Sequence, residues 1–247
     1  MPILKDSFVP LLYRTFEACG LGHHLTRERA EKLAFLAQYL VSENEKYNLT
    51  AVTDEREIIL KHYADSAAPA SLFPKGARVL DVGCGAGFPS LVLALVRPDL
   101  RITALDATEK RVRYVAAAAQ QLGLTNLETV CMRAEDGARP GAPMRESFDT
   151  VTARAVARLP ILCELCLPFV RVGGSFIAMK GSGGVAETEE AGSAISVLGG
   201  KLISAREEVL DDGQGGQMTR TTVQILKASP TPAAYPRHYS KISKKPL

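Results

Sequence analysis

The chain has 247 residues, 46% of them hydrophobic, which is enough for a substantial core in one large domain or in a domain with an appendage. A formal net charge of +3 is too small to identify a nucleic-acid-binding protein, and no apolar run approaches the roughly 20 residues that span a bilayer. Lys5 and Asp6 lie where a signal peptide needs an apolar core, and the five cysteines are an odd number. We therefore expect a cytosolic protein with reduced thiols and without a membrane partner.

Residues 1–74 are predicted to form a helical extension packed on the rest of the protein. From Thr26, a plausible N-cap, to Asn48, apolar residues recur at helical spacing and define one buried stripe. His23 and His24 lie in a helix connection without the spaced carboxylates of a metal site. We interpret both histidines as surface residues and nominate no metal ligand.

Residues 78–96, RVLDVGCGAGFPSLVLALV, combine a buried strand, a glycine loop and a helix start. Gly83, Gly85 and Gly87 permit backbone conformations that are closed to other residues, and Pro89 suits a first helical turn. This pattern is typical of a nucleotide-cofactor pocket, although an ordinary strand-to-helix turn would also accommodate it. The spacing G-x-G-x-G differs from the dinucleotide fingerprint G-x-G-x-x-G and favours a smaller ligand.

A second strand is predicted over residues 101–106 and ends in Asp106, about twenty positions beyond the loop. A carboxylate at this place can bind ribose hydroxyls. It can also interact with the dipole of the following helix, and the two roles are compatible.

Further strands are predicted at residues 127–132, 148–154 and 173–180, with helices between them. Alternating strands and helices favour a parallel sheet that binds ligands at the carboxyl ends of its strands. The polar residues at or just beyond these ends are Asp81, Asp106, Glu135, Arg154 and Lys180.

Two last strands, at residues 201–209 and 219–227, are predicted to form a terminal hairpin. This ending is unusual for a dinucleotide fold and usual for methyltransferases that use S-adenosylmethionine. We therefore predict an α/β, Rossmann-like class I methyltransferase fold, with a seven-stranded, mostly parallel sheet and an antiparallel hairpin. The predicted division is an extension at 1–74, a methyltransferase core at 75–228 and a basic tail at 229–247.

Cysteine chemistry is not expected to contribute to function. Cys163 and Cys166 form a C-x-x-C, but apolar residues surround it, which favours buried helical thiols. Cys84 lies between two loop glycines, and nothing beside it indicates an activated nucleophile.

The combined motifs resemble the bacterial 16S ribosomal RNA guanine-N7 methyltransferases, also called the glucose-inhibited division protein B family. The segments that carry the resemblance are NLTAVTDEREIILKHYADS, LDVGCGAGFPSLVLALVRPDLRITALDATEKRVRYV, RAED, ARAVARL, MKG and the terminal SKKPL. It extends from the helical front to the last residue. Ser90 departs from the pattern, since the family usually has another glycine after the proline.

The resemblance implies S-adenosylmethionine-dependent N7-methylation of a guanine in the 530 loop of 16S rRNA, with the small ribosomal subunit as partner and a monomeric enzyme. The implied cofactor-binding residues are Gly83, Phe88, Asp106, Ala134, Glu135 and Arg154. Asp106 would hold the ribose, and Ala134 and Glu135 would border the adenine. Phe88 could instead be a core residue, and Arg154 suits either the methionyl carboxylate or an RNA phosphate.

Guanine N7 carries a free lone pair, so methyl transfer depends mainly on positioning, and we nominate no catalytic acid or base. From Gly213 onward the sequence contains no Asp or Glu, and its lysines, arginines and tyrosines could bind RNA or form a solvated terminus. The resemblance favours RNA. Two alternatives stay open: a methyltransferase for another RNA or a small molecule, and a catalytically silent ribosome-assembly factor.

Overall fold

A computed structural model describes residues 5–247, so the first four residues of the predicted extension lie outside it. Within this range, one sheet contains seven strands. Their bounds are β1 Arg78–Val82, β2 Arg101–Asp106, β3 Leu127–Cys131, β4 Phe148–Arg154, β5 Val170–Lys180, β6 Gly200–Asp211 and β7 Gln217–Lys227.

The strand order is β3-β2-β1-β4-β5-β7-β6. Strands β1 to β5 pair in parallel, whereas β7 runs antiparallel to both β5 and β6. The predicted mostly parallel sheet with a terminal antiparallel hairpin is confirmed. Strand β5 begins three positions earlier than predicted, because Val170 pairs with Phe148 before a register irregularity and the strand continues through Gly173.

Helices cover both faces of the sheet, as the alternating pattern predicted. Their bounds are α1 Phe8–Ala18, α2 Arg27–Tyr47, α3 Glu55–Glu57, α4 Asp65–Ala67, α5 Ser90–Val96, α6 Glu109–Gln121, α7 Ala134–Gly137, α8 Leu159–Cys166, α9 Gly184–Glu190, α10 Gly192–Val197 and α11 Tyr239–Lys244. A π-helical segment, Ile58–Ala64, joins α3 to α4. Among the helices of residues 5–247, each is too short or too polar to cross a membrane.

The helical extension shares its core with the sheet. Apolar side chains of α1 and α2 belong to the same buried cluster as Val79 of β1 and the side chains of α5. Thr26 accepts a hydrogen bond from the N–H of Arg29, as its predicted N-cap role requires. Buried Tyr63 donates to the carbonyl of Leu33 over 2.9 Å and fixes α2 against the π-helical segment. The boundary at residues 74 and 75 stays a prediction.

The C-terminal segment, residues 229–247, packs against α8. The Glu164 side chain of α8 is fully buried and accepts hydrogen bonds from the backbone N–H and the guanidinium of Arg237. Ile242 of α11 is also fully buried. Arg145 donates to the carbonyls of Thr231 and Tyr235 over 2.7 and 2.8 Å. These contacts hold the segment against the rest of the protein.

Candidate functional site

A cavity of about 510 Å³ lies at the carboxyl ends of β1, β2 and β4, and we call it the cofactor cavity. The residues that the sequence nominated for cofactor binding all line it: Gly83, Phe88, Asp106, Ala134, Glu135 and Arg154. The structure therefore brings the six nominated residues together at one cavity. The individual contacts assigned to them stay predictions.

The glycine loop follows β1 and forms the floor of this cavity. Gly83, Gly85 and Gly87 have φ values of 74°, 56° and 84°, in the left-handed region that favours glycine. A Cβ on Gly83 would lie 2.6 Å from Cγ2 of Val156, whereas one on Gly85 would meet only the Gly83 carbonyl, at 3.9 Å. A side chain at Gly83 would therefore clash with Val156, whereas the space beside Gly85 is open.

Asp106, the last residue of β2, presents a fixed carboxylate to the cavity. Its Oδ2 accepts from the N–H of Gly85 over 3.0 Å, and its Oδ1 accepts from the N–H of Thr108 over 2.8 Å. Arg111 lies 3.6 Å from Oδ2. A carboxylate has about four acceptor positions, so both oxygens keep capacity for a hydroxyl. The same side chain therefore organises the start of α6 and remains available to a diol.

Asp81 differs from Asp106 although both are strand-end acids. Its side chain is fully buried and does not line the cofactor cavity. Ser90 donates to Oδ2 through its hydroxyl and its N–H, whereas Oδ1 has no hydrogen-bond partner among residues 5–247. Burial raises the pKa of Asp81 to about 6, although the Ser90 bonds act against that shift. The serine that departs from the family pattern thus holds a buried carboxyl in place.

Phe88 is a buried residue that also lines the cavity, so its position is compatible with either of its two alternative roles. Its ring stacks on His62, with centroids 4.4 Å apart and planes 10° from parallel. The guanidinium carbon of Arg154 lies 5.5 Å from the Phe88 centroid. The peptide bond between Phe88 and Pro89 is cis.

His62 comes from the π-helical segment and was not nominated from the sequence. Burial and the nearby Arg154 charge lower the pKa of His62 to about 3, so the imidazole is neutral. Arg154 lies 3.3 Å from Nδ1 and can only donate, which makes Nδ1 the acceptor. Nε2 then carries the proton and donates to Thr50 Oγ1 over 3.1 Å. The ring is therefore held in one neutral tautomer.

Arg154 is fixed by a buried carboxylate that sequence reasoning also missed. Its NH1 group donates to Asp65 Oδ2 over 2.9 Å and to the Lys61 carbonyl over 2.8 Å. The other oxygen of Asp65 accepts from Arg220 Nε over 3.0 Å. Asp65, in α4, is 4% exposed and so joins β4 and β7 to the helical extension.

A second cavity, of about 450 Å³, adjoins the first and shares His62, Arg154 and Ala155 with it. The remaining charged residues on its wall are Lys61, Asp65, Lys180, Glu187 and Arg220. Lys180, predicted at a strand end, therefore faces this second cavity and does not line the first.

Tyr239 of α11 also lines the cofactor cavity. The Arg133 guanidinium lies 5.4 Å from the Tyr239 ring centroid, and Arg133 Nε donates to Glu135 over 3.0 Å. The C-terminal segment thus contributes a side chain to the wall that borders Ala134 and Glu135. The sequence signal was the alternation of tyrosines with basic residues, which had been interpreted as an RNA contact or a solvated terminus.

The prediction of buried helical thiols at Cys163 and Cys166 is confirmed, and the prediction that His24 is a surface residue is wrong. Cys163 and Cys166 are fully buried in α8, and burial raises the pKa of both thiols. Burial also raises the pKa of Cys84. His24, expected on the surface, is only 9% exposed, because it packs on His23 at the end of a short helical turn. Burial lowers its pKa to about 4.

Comparison with known proteins identifies the family. The family model described as rRNA small subunit methyltransferase G matches residues 29–211. The chain is 41% identical over 243 residues to the "Ribosomal RNA small subunit methyltransferase G" of Clostridium beijerinckii, covering 98% of this chain and 99% of that protein. It is 45% identical over 213 residues to the protein of the same name from Lactobacillus delbrueckii subsp. bulgaricus, covering 84% and 87%.

Solved structures agree on the fold alone. The YcgJ protein of Bacillus subtilis superimposes with a TM-score of 0.51 at 16% identity, covering 68% of this chain and all of that one. M. jannaschii TYW2 in complex with AdoMet gives a TM-score of 0.52 at 14% identity, covering 66% and 74%. With the sequence matches spanning nearly the whole chain, this protein belongs to the rRNA small subunit methyltransferase G family.

Proposed function

We propose that this protein transfers a methyl group from S-adenosylmethionine to N7 of a guanine in the 530 loop of 16S rRNA, acting on the small ribosomal subunit as a cytoplasmic monomer. Family membership supports the reaction class. The observation that carries the proposal is the cavity at the strand ends, where the glycine loop faces a carboxylate held in place at the end of β2.

The cavity residues fit this cofactor. Asp106 has acceptor capacity for the two ribose hydroxyls, and Gly85 leaves the loop open towards the ligand. We assign the adenine to the side of Ala134 and Glu135, and the loop contacts to Gly83 and Phe88. Arg154 completes the pocket at the wall shared with the second cavity.

The side chains of the site suit a transfer without acid or base catalysis. The cofactor supplies a methyl group on a positively charged sulfur, and guanine N7 already carries a free lone pair. His62 is neutral with both nitrogens engaged, so it positions the wall and exchanges no proton. Positive charge moves from the sulfur to the purine during transfer. Arg154 is paired with Asp65, which offsets part of the positive charge that the shared wall presents to that movement.

Chemical mapping tests the modified atom. N7-methylation makes a guanosine prone to strand cleavage after reduction and aniline treatment, whereas methylation of an exocyclic or ribose atom does not. We expect one such cleavage in small-subunit rRNA from cells that contain the protein and none from a deletion strain. Purified protein should restore it on deletion-strain subunits. Persistence of the cleavage in the deletion strain would exclude the proposal. If the cleavage is lost in that strain and returns only in cells with an intact ribosome-assembly pathway, and not with purified protein, the result would favour an assembly factor.

Calorimetry tests the cofactor site. Replacing Asp106 with Ala should weaken S-adenosylmethionine binding by about 1–3 kcal/mol, the cost of charge-assisted hydrogen bonds. Asp136→Ala removes the same charge from the exposed side of α7 and should bind as the parent protein does. Equal affinities of the Asp106 variant and the parent would remove the ribose assignment.

A further inference from the structure

The second cavity contains an ammonium and a carboxylate side by side. Lys180 Nζ donates to the Ala157 carbonyl over 2.8 Å and lies 2.8 Å from Glu187 Oε2, which leaves one of its three N–H groups unused. Glu187 Oε2 also accepts from the Leu159 N–H over 2.7 Å. Its other oxygen, Oε1, has no partner within residues 5–247.

This pair is more sheltered than a surface ion pair. The side chains of Lys180 and Glu187 are 9% and 21% exposed. Lys180 ends β5 and Glu187 lies on α9, so these two elements fix both groups in the lining of one cavity. The unused donor and the unused acceptor are therefore preorganised for a planar polar ligand that offers the complementary pattern.

Guanine offers that pattern on one edge. It presents the O6 acceptor next to two donors, the N1–H and the 2-amino group. Adenine presents a donor, its 6-amino group, where guanine has O6. An ammonium beside a carboxylate can therefore bind this edge of guanine, whereas with adenine the ammonium would face the 6-amino donor. A base bound by this edge keeps N7 free of hydrogen bonds.

The cavity also lies next to the cofactor cavity, as the site of a methyl acceptor must. His62, Arg154 and Ala155 line both cavities, so the two are neighbours at these residues. A volume of about 450 Å³ lies within the range of small-molecule sites and admits a nucleobase. Target bases that undergo chemistry leave their stack and enter such a pocket.

We propose that the second cavity holds the guanine that is methylated, with Lys180 donating to O6 and Glu187 Oε1 accepting from the N1–H and the 2-amino group. This assignment rests on the proposed function. The Lys180–Glu187 pair has no net charge, whereas Arg154 and Arg220 share the single carboxylate of Asp65. Glu187 holds the ring by its N1 edge, so it contributes to recognition and to the positioning of N7.

The test uses the 2-amino group, which inosine lacks. Once the methylated position is mapped, subunits are reconstituted from ligated RNA with guanosine or inosine at that position. The parent protein should lose about tenfold or more in kcat/KM on inosine, as expected for a lost hydrogen bond to a charged group. Glu187→Ala should have a lower kcat/KM than the parent on guanosine subunits. Its kcat/KM on inosine subunits should be less than twofold below its own value on guanosine subunits. Glu189→Ala, on the exposed side of the same helix, should discriminate as the parent does.

A more conservative variant keeps the test valid if the alanine variant folds poorly. Glu187→Gln retains an acceptor for the Leu159 N–H but removes the charge. We expect its kcat on guanosine subunits to fall about tenfold, while its dissociation constant for S-adenosylmethionine and its melting temperature stay close to those of the parent. A merely structural role would change the last two quantities.

The outcomes separate this inference from the proposed function. If the parent protein makes N7-methylguanosine but uses inosine equally well, or if both Glu187 variants retain full discrimination, the guanine site is overturned while the function stands. If the parent protein makes no N7-methylguanosine, the proposed function fails before the inosine comparison begins.

Discussion

The two adjoining cavities are built in different ways. In the cofactor cavity, two short chain segments, residues 82–88 and 105–108, supply the backbone that shapes the loop and holds Asp106. The second cavity is lined by charged side chains from the helical extension, β5, α9 and β7, which pair with one another. Backbone geometry tolerates most side-chain changes, whereas an ion-pair network is lost when one member is removed. Single substitutions should therefore affect the second cavity more.

Asp65 offers the largest test of this contrast. Asp65→Ala leaves the partly buried guanidinium groups of Arg154 and Arg220 without their carboxylate, which should lower the free energy of unfolding by about 3 kcal/mol. Because Arg154 lines both cavities, methyl transfer should fall together with stability. Urea denaturation and a methyl-transfer assay measure the two effects. Glu45→Ala, on the exposed face of α2, is the control and should change neither. A stable, active Asp65 variant would contradict the network.

His62 tests the shared wall through pH. Its folded pKa of about 3 lies below the unfolded value near 6.5, so the folded protein resists protonation. The stability that this neutral imidazole confers is present above pH 6.5 and is lost as pH falls from 6.5 towards 3. At pH 4 the loss should reach about 3 kcal/mol. Asp81 has the opposite effect on stability, because burial raises its folded pKa to about 6, above the pKa of the unfolded chain. Its effect favours the folded state as pH falls from 6 towards the unfolded pKa.

A variant without the imidazole isolates this contribution. His62→Phe keeps a ring to stack on Phe88 and retains Asp81, so the Asp81 contribution cancels in the comparison with the parent. The variant should start from lower stability at pH 7 but lose less between pH 6.5 and 4. Parallel stability curves for the two proteins over that range would show that His62 is not held neutral.

The smallest effect is expected outside both cavities. Lys241, Lys244 and Lys245 are exposed on and just after α11, in a segment that also supplies Tyr239 to the cofactor cavity. Replacing the three lysines with Gln should reduce the salt dependence of RNA binding by about 0.7 in log–log slope per lost contact. S-adenosylmethionine binding should be unchanged.

A charge-matched variant controls for long-range electrostatics. Lys5, Lys75 and Lys201 are exposed elsewhere on the protein, and their replacement with Gln removes the same net charge. Filter binding at several salt concentrations should give this control the parent slope. Equal slopes for the two triple variants would assign the C-terminal lysines to a solvated surface.

The cofactor cavity could be predicted because its signals are local. The loop glycines and the bounds of β1, β2 and β4 follow from spacing and alternation within short segments, and the structure reproduces them. Burial of Asp81 was not predicted, because the register between the two strands cannot be read from either segment alone. Asp81 lies one residue inside β1 and pairs with Ala104, two positions before Asp106, and its buried carboxyl accepts hydrogen bonds from Ser90.

The second cavity could not be predicted because its members are distant in sequence. Asp65 meets Arg154 and Arg220 across 89 and 155 positions, and no periodic pattern encodes such pairs. Lys180 was recognised as a strand-end residue, but its partner Glu187 lies in a glycine- and glutamate-rich segment that offers several equivalent carboxylates. The packing of the C-terminal segment could not be predicted either, because charge alone does not distinguish a packed terminal segment from a solvated one.

The pairing of Glu164 with Arg237 has a consequence for how the protein matures. Arg237 is synthesised 73 residues after Glu164, yet Glu164 is fully buried in α8 in the finished fold. A nascent or prematurely terminated chain that lacks Arg237 must either bury a lone carboxylate or leave α8 loosely packed. Such a chain spends more time open to proteases than the complete one. The pair therefore makes the full stability of α8 depend on the presence of Arg237.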